Sequence, residues 1–284
     1  MKSNNRSKTL SYAVSTAGAL FALMNVGAQA GTMGPIEQVV PGKVYVGVFG
    51  GAGASNRADI SMYGTAFFTE AEGGPLAVNA FGRTNSRHAG LVGGHIGYQW
   101  PEIINWFSSS WSLTPAVELE GYYLGKDNFT GHDINNETVR LPEHDFLVNY
   151  PMHAGVFLGN AILNFNPSQS IWHPYVGAGI GAAVVSISSA SALQVSPPEV
   201  GVNHFNSNTR DKESTFAGQI KAGLNFDVSK NASIFVEYRG LYLADTDYTF
   251  GSTVYPGHAP TSSWRVNLDS QYYNMGAIGV HYTI

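Results

Sequence analysis

Hydrophobic positions recur at period two in eight separate segments of this chain. The pattern is clearest over 272–284, where Gly276, Ile278, Val280, Tyr282 and Ile284 share one face. Met275, Ala277, Gly279, His281 and Thr283 share the other. Val44, Val46 and Val48 begin the series over 43–53, and Val92, Gly94, Ile96, Tyr98 and Trp100 follow over 88–100. Trp111, Leu113, Val117, Leu119 and Tyr123 mark 111–124; Phe146, Val148, Tyr150, Met152, Val156 and Leu158 mark 146–163. Trp172, Val176, Ile180 and Val184 alternate over 172–187. Phe216, Ile220, Leu224 and Phe226 do so over 214–228, and Ile234, Val236 and Tyr238 over 232–244. A two-residue period with glycine recurring in mid-segment predicts strands and excludes helices. Each segment reaches the roughly 9–11 residues that a tilted strand needs to cross a bilayer.

The opposite faces carry Ser112, Thr114, Glu118, Glu120, Gln219, Lys221, Asn225, Glu237 and Arg239. A water-soluble barrel of lipocalin type keeps its apolar residues inside. Here the apolar face holds the tryptophans at the strand ends, and the charged face reads as the interior. That inside-out polarity fits lipid, and lipid tolerates no open sheet edge, so the sheet must close. The connections alternate in length: 54–87, 125–145, 188–213 and 245–269 are long, while 101–110, 165–171 and 229–231 are shorter. The expected fold is all-β, an eight-stranded antiparallel up-and-down transmembrane β-barrel with long extracellular loops and short periplasmic turns. The run Gly177-Ala178-Gly179-Ile180-Gly181 reads as barrel curvature, since no strand–turn–helix context supports a dinucleotide loop.

Residues 1–30 place Lys2, Arg6 and Lys8 before a short apolar stretch that ends in Ala28-Gln29-Ala30. This predicts a signal peptide over 1–30 and a barrel domain over 31–284. Removing three cations and no acid would take the net charge from −5 to −8. Such acidity disfavours nucleic acid as a partner. With no cysteine in the chain, disulfide and thiolate chemistry are excluded.

The last strand, with Ile278, Val280, Tyr282 and Ile284 aligned, resembles the C-terminal assembly signal of bacterial outer-membrane barrels. Ile284 stands where that signal usually ends in phenylalanine. By pattern, the chain after residue 30 resembles the small eight-stranded outer-membrane proteins of the OmpA-like and opacity types. Ala30-Gly31-Thr32-Met33-Gly34-Pro35 is similar to the mature start of Legionella-type outer-membrane proteins. The resemblance implies a location in the outer membrane of a Gram-negative bacterium. It also implies contact with lipid and lipopolysaccharide, and with periplasmic chaperones and the barrel-assembly machinery during biogenesis. It brings no shared catalytic site and no cofactor. Its long loops would reach a host or surface ligand.

Five charged residues, Glu118, Glu120, Lys221, Glu237 and Arg239, are expected at mid-height inside the barrel. An eight-stranded barrel is just wide enough for side chains to meet across it. Unpaired buried charge is costly, so the five should pair into a plug. Trp100, Trp111, Trp172 and Tyr282 are expected to form an aromatic girdle at the periplasmic rim, with Tyr123, Phe146 and Tyr242 at the other rim. His132, Asp133, Glu143, His144 and Asp145 fall in one connection, and His204 and His258 in two others. No HxxxH or HExxH spacing links them, so no metal is assigned. A lipid-modifying enzyme would need a nucleophile and base near the extracellular rim. His153, Ser214 and Ser270 are near that height, with nothing to single them out. The expected function is a non-enzymatic surface protein, structural or adhesive through its loops; the alternative is a narrow channel for small ions or apolar molecules, like the OmpW type.

Overall fold

The computed structural model describes residues 41–86, 88–101, 104–108, 111–135 and 137–284. The expected signal peptide lies outside the described residues. The strands are β1 Lys43–Ser55, β2 Asp59–Ala66, β3 Leu76–Thr84, β4 His88–Gln99, β5 Ile104–Ser108, β6 Trp111–Asn135 and β7 Asp145–Pro167. After them come β8 Trp172–Ile187, β9 Ser191–Ser196, β10 Asp211–Asp227, β11 Ala232–Leu243, β12 Thr246–Phe250, β13 Trp264–Leu268 and β14 Gln271–Thr283. Eight of them close a ring in the order β1, β4, β6, β7, β8, β10, β11, β14 and back to β1, every pair antiparallel. Closure pairs Val48 of β1 with Gly94 on one side and Val280 on the other. Every strand of the ring therefore has two partners, which removes the open edge.

The ring's outer face presents Val48, Val92, Ile96, Leu119, Phe157, Ile180, Ile220, Val236 and Ile278 to the surroundings. Large side chains there sit beside small ones: Leu119 faces Gly159, and Ile220 faces Gly240. A belt this apolar and continuous around a closed sheet is a lipid-facing surface. Among the described residues, Trp111 and Trp172 meet edge to face at 6.4 Å at the end with the short turns, and Tyr98 and Trp100 at 5.2 Å.

Beyond the belt, the long connections do not fray into loops. β6 and β7 continue well past it as a paired ribbon, from Asp127 opposite Met152 to Ile134 opposite Asp145. β3 joins one side of this ribbon and β9 the other, and β2, β13 and β12 extend the sheet. The segment 203–209 then bridges the gap between β9 and β12. His204 donates its N–H to the Ala192 carbonyl at 3.0 Å, and Gly251 donates to Asn208 at 2.7 Å. Asn206 imitates a strand pair, giving to the Val254 carbonyl at 2.8 Å and accepting its N–H at 2.9 Å. The result is a crown with its own core of Ile60, Met62, Phe129, Tyr150, Phe205, Tyr248, Phe250, Trp264 and Val266, all essentially inaccessible. Phe205 stacks on Phe250 at 4.8 Å, and Tyr150 on Phe250 at 5.8 Å. Gly64 gives the Trp264 indole its place, because a Cβ there would lie 2.5 Å from the ring.

The crown corrects three expectations. The connection 125–145 is largely strand, and those at 54–87, 188–213 and 245–269 also contain strands. Phe146, Val148, Tyr150 and Met152, expected to face outward, are buried in the interior together with Val156 and Leu158. The residues of β7 that face outward at the belt are Gly155, Phe157, Gly159 and Ala161, which align with Val184, Ala182, Ile180 and Ala178 of β8. Phe146 is accordingly no rim aromatic, and His153 turns outward beside Tyr123, 5.8 Å between ring centres. The cause is that this part of the interior is itself apolar, so hydrophobicity marks both faces of β7.

Candidate functional site in the lumen

Inward-facing positions of β6, β10 and β11 converge at mid-barrel. The structure brings Glu118, Glu120, Lys221, Glu237 and Arg239 into one buried cluster. Lys221 Nζ lies 2.6 Å from Glu118 Oε2 and 3.0 Å from Glu120 Oε2. Arg239 forks onto both oxygens of Glu120 at 2.8 and 3.1 Å, while its Nε reaches Glu237 at 2.6 Å. Lys221 and Arg239 are direct cross-strand neighbours, so their repulsion is offset by the carboxylates from the opposite wall. Phenols complete the set: Tyr45 donates to Glu118 at 2.9 Å and Tyr175 to Glu237 at 2.8 Å. Gln219 donates to Glu120 at 2.9 Å and to Asn160 at 3.1 Å. The guanidinium also rests on the Phe49 ring at 3.8 Å, a cation–π contact strengthened by exclusion of water.

Glycines make room for this filling. A Cβ at Gly223 would lie 2.6 Å from the Tyr175 ring, and one at Gly179 would collide with the Asn160 amide. The glycine run expected to serve curvature thus also admits a lumenal side chain. Nearer the turns, His95 and His281 pack at 4.8 Å between ring centres, and Phe235 stacks on His281 at 4.3 Å. His95, Glu118 and His281 have the donor types of a metal site. Lys221 already occupies the Glu118 carboxylate, so a metal cation would face an ammonium at close range. The trio does not fit a metal.

Fully satisfied and interlocked, these charges can brace the barrel; their pairing leaves no nucleophile–base set among the five. The expected girdle residues Trp100, Trp111, Trp172 and Tyr282 all lie at the turn end, and Trp111, Trp172 and Tyr282 are exposed on the outer face. The histidine–acid run of 132–145 is divided by the crown. His132 pairs with Asp145 at 2.8 Å on the surface, while Asp133 points inward. Asp133 is fully buried with neither carboxylate oxygen hydrogen-bonded among the described residues. Burial, with Asp145 nearby, pushes its carboxyl up to about 7. Sequence reading named Asp133 only within a histidine–acid run and missed its burial, because an aspartate in a presumed loop gives no sign of being enclosed.

A family model described as autotransporter beta-domain matches residues 25–239, well over half of the chain. The chain belongs to the autotransporter beta-domain family. The match takes in the ring from β1 into β11 and stops before β14. Among solved structures, this β-domain is similar to the outer membrane protein OprG from Pseudomonas aeruginosa, at 13% identity and TM-score 0.41, over 86% of this chain and 97% of that one. It is also similar to the outer membrane protease OmpT from Escherichia coli, at 9% identity and TM-score 0.39, over 84% and 97%. A third likeness is to Ail, the attachment invasion locus protein of Yersinia pestis, at 12% identity and TM-score 0.31, over 86% and 100%. No curated relative matches the sequence. The resemblance to small outer-membrane barrels read from the sequence holds, and the fold is that of an outer-membrane β-barrel.

Proposed function

We propose that this β-domain resides in the outer membrane of a Gram-negative cell as a non-enzymatic surface protein, with the crown as a platform for a protein partner. The observation that carries this reading is the crown's outer face. Tyr63, Phe81, Ile134, Leu147 and Leu193 are exposed on five neighbouring strands, and register places Phe81 beside Ile134 and Leu147 beside Leu193. Tyr63 and Phe81 meet edge to face at 5.8 Å. An exposed apolar row on a rigid, independently packed sheet suits protein recognition, since little order has to be gained on binding. The lumen argues against the channel alternative, because paired charges and aromatic rings fill its middle. It equally supports a bracing role for the plug.

Cells displaying the protein test this reading. Phe81→Asp combined with Ile134→Asp should abolish attachment to host cells or matrix proteins, while outer-membrane levels and heat-modifiability in SDS stay normal. Unchanged attachment would refute the platform. Recovery of the wild-type protein in the soluble periplasm would refute the location.

A further inference from the structure

The seam that closes the crown carries a second cluster, remote from the lumen. Glu199 and His204 belong to the connection between β9 and β10, and His258 to that between β12 and β13. His204 Nε2 lies 3.5 Å from Glu199 Oε2, and His258 Nε2 lies 3.4 Å from Glu199 Oε1. One ligand atom from each of the three fits within a 4.8 Å span. Donors held about 2.0–2.2 Å from a tetrahedral ion are themselves roughly 3.3–3.6 Å apart, and each imidazole lies that far from one of the two Glu199 oxygens. The far side of each ring is already committed. His204 Nδ1 is 3.1 Å from the Ala192 carbonyl, and His258 Nδ1 is 2.6 Å from the Ala259 carbonyl. A ring that donates from Nδ1 presents the Nε2 lone pair, the tautomer that a metal requires. His204 is buried, with its ring edge-on to Phe146 at 5.1 Å and Trp264 at 6.0 Å. Glu199 and His258 are half-buried at the surface, which gives an ion an entry path.

We propose that Glu199, His204 and His258 bind a divalent transition-metal ion of the zinc class and that the ion latches the crown's seam. Two imidazoles and one carboxylate suit zinc or copper over calcium or magnesium, and they leave a fourth position for water or a partner's side chain. The latch follows from connectivity, because the ligands come from the two connections that Asn206 and Asn208 tie together. Sequence reading left these residues unassigned, because 54 positions separate His204 from His258 and no short spacing joins them. The site rests on crown geometry alone and holds whether or not the crown binds a protein.

The test uses the full barrel, refolded in detergent and stripped of metal with EDTA. Titration with zinc chloride by calorimetry should show one equivalent bound, and cobalt chloride should give the visible absorption of a four-coordinate ion. Glu199→Gln and His258→Asn should each weaken binding more than about 100-fold, beyond the roughly 10–100-fold that loss of a supporting hydrogen bond costs. His132→Asn, at the separate surface pair, should leave it unchanged. Heat-modifiability shows that each variant is folded, and the two half-buried ligands carry the test independently of buried His204. Zinc should also slow proteolysis within 197–210 and 251–263 of the wild type. Absent binding, or binding undiminished in His258→Asn, would overturn the site. Tight binding without protection would overturn the latch.

Discussion

Over Phe146–Met152, β7 turns its apolar residues into the molecule; over Phe157–Leu163, it turns Phe157 and Ala161 out while Leu158 and Ile162 still face in. The backbone keeps one alternation throughout, so the difference lies in the surroundings. At the belt, the strand separates lipid from a lumen that holds the charge cluster, with Leu158, Asn160 and Ile162 facing in. In the crown, it separates water from an aromatic core, as in any soluble sheet. β6 makes the same change differently, with an irregularity in register between Leu124 and Asp127. Glu118, Glu120 and Tyr122 face in before it, and Phe129 and Asp133 after it. An odd shift along one strand exchanges its faces. The lower half is thus held by charge pairs inside an apolar skin, and the upper half by an apolar core inside a mixed skin on which the row from Tyr63 to Leu193 is exposed.

The two regions should fail in different ways. Arg239→Met leaves three lumenal carboxylates facing Lys221 alone. Breaking a buried pair in this manner costs about 3–5 kcal/mol, so barrel assembly should drop sharply on heat-modifiability gels. Glu120→Gln combined with Arg239→Met should cost less than the two single changes summed, because neither partner is then left alone. Additive costs would show that the pairing is incidental. A smaller effect separates the outer faces. Leu119→Arg, in the belt, should destabilise by about 2–4 kcal/mol in a bilayer, the range for arginine near mid-membrane. Leu147→Arg, on the crown's outer face, should be nearly neutral, and equal costs by urea titration in vesicles would erase the distinction.

The third effect is confined to the crown. Asp133 has its carboxyl raised to about 7 by burial, above its unfolded value. The folded crown therefore binds a proton that the unfolded chain has released, and stability is greatest below the unfolded value and lost as pH rises through about 7. Limited proteolysis of the crown should be slower at pH 5 than at pH 8. Asp133→Asn should remove most of that difference, leaving the barrel's thermal transition unchanged. The reverse pH trend would contradict the assignment.

The ring was legible in the sequence because lipid imposes one rule on its strands; β7 is the exception, existing as expected but with its outward face misread. The period of two located Trp172 to Ile187 as a strand, and β1, β4, β10, β11 and β14 differ from expectation by three residues or fewer at either end. The five lumenal charges were legible for a related reason, since charge on strands with an apolar opposite face has to point away from lipid. The crown was not legible. Its strands are short, and their apolar face points inward, so Phe146, Val148 and Tyr150 carry the same periodic signal as a lipid-facing strand. Glu199, His204 and His258 are brought together only by the folding of two separate connections, and Asp133 is buried only through the crown's packing.

Because the chain contains no cysteine, single cysteines along β7 can carry a nitroxide label without background. The decisive measurement is a spin-label accessibility scan from residue 146 to 163 in lipid bilayers, comparing oxygen with a water-soluble nickel chelate. Labels at 157, 159 and 161 should favour oxygen, those at 147 and 149 the nickel chelate, and those at 146, 148 and 150 should be shielded from both. Oxygen preference at 146, 148 and 150 would place the crown's core in lipid and contradict the inversion of polarity between barrel and crown.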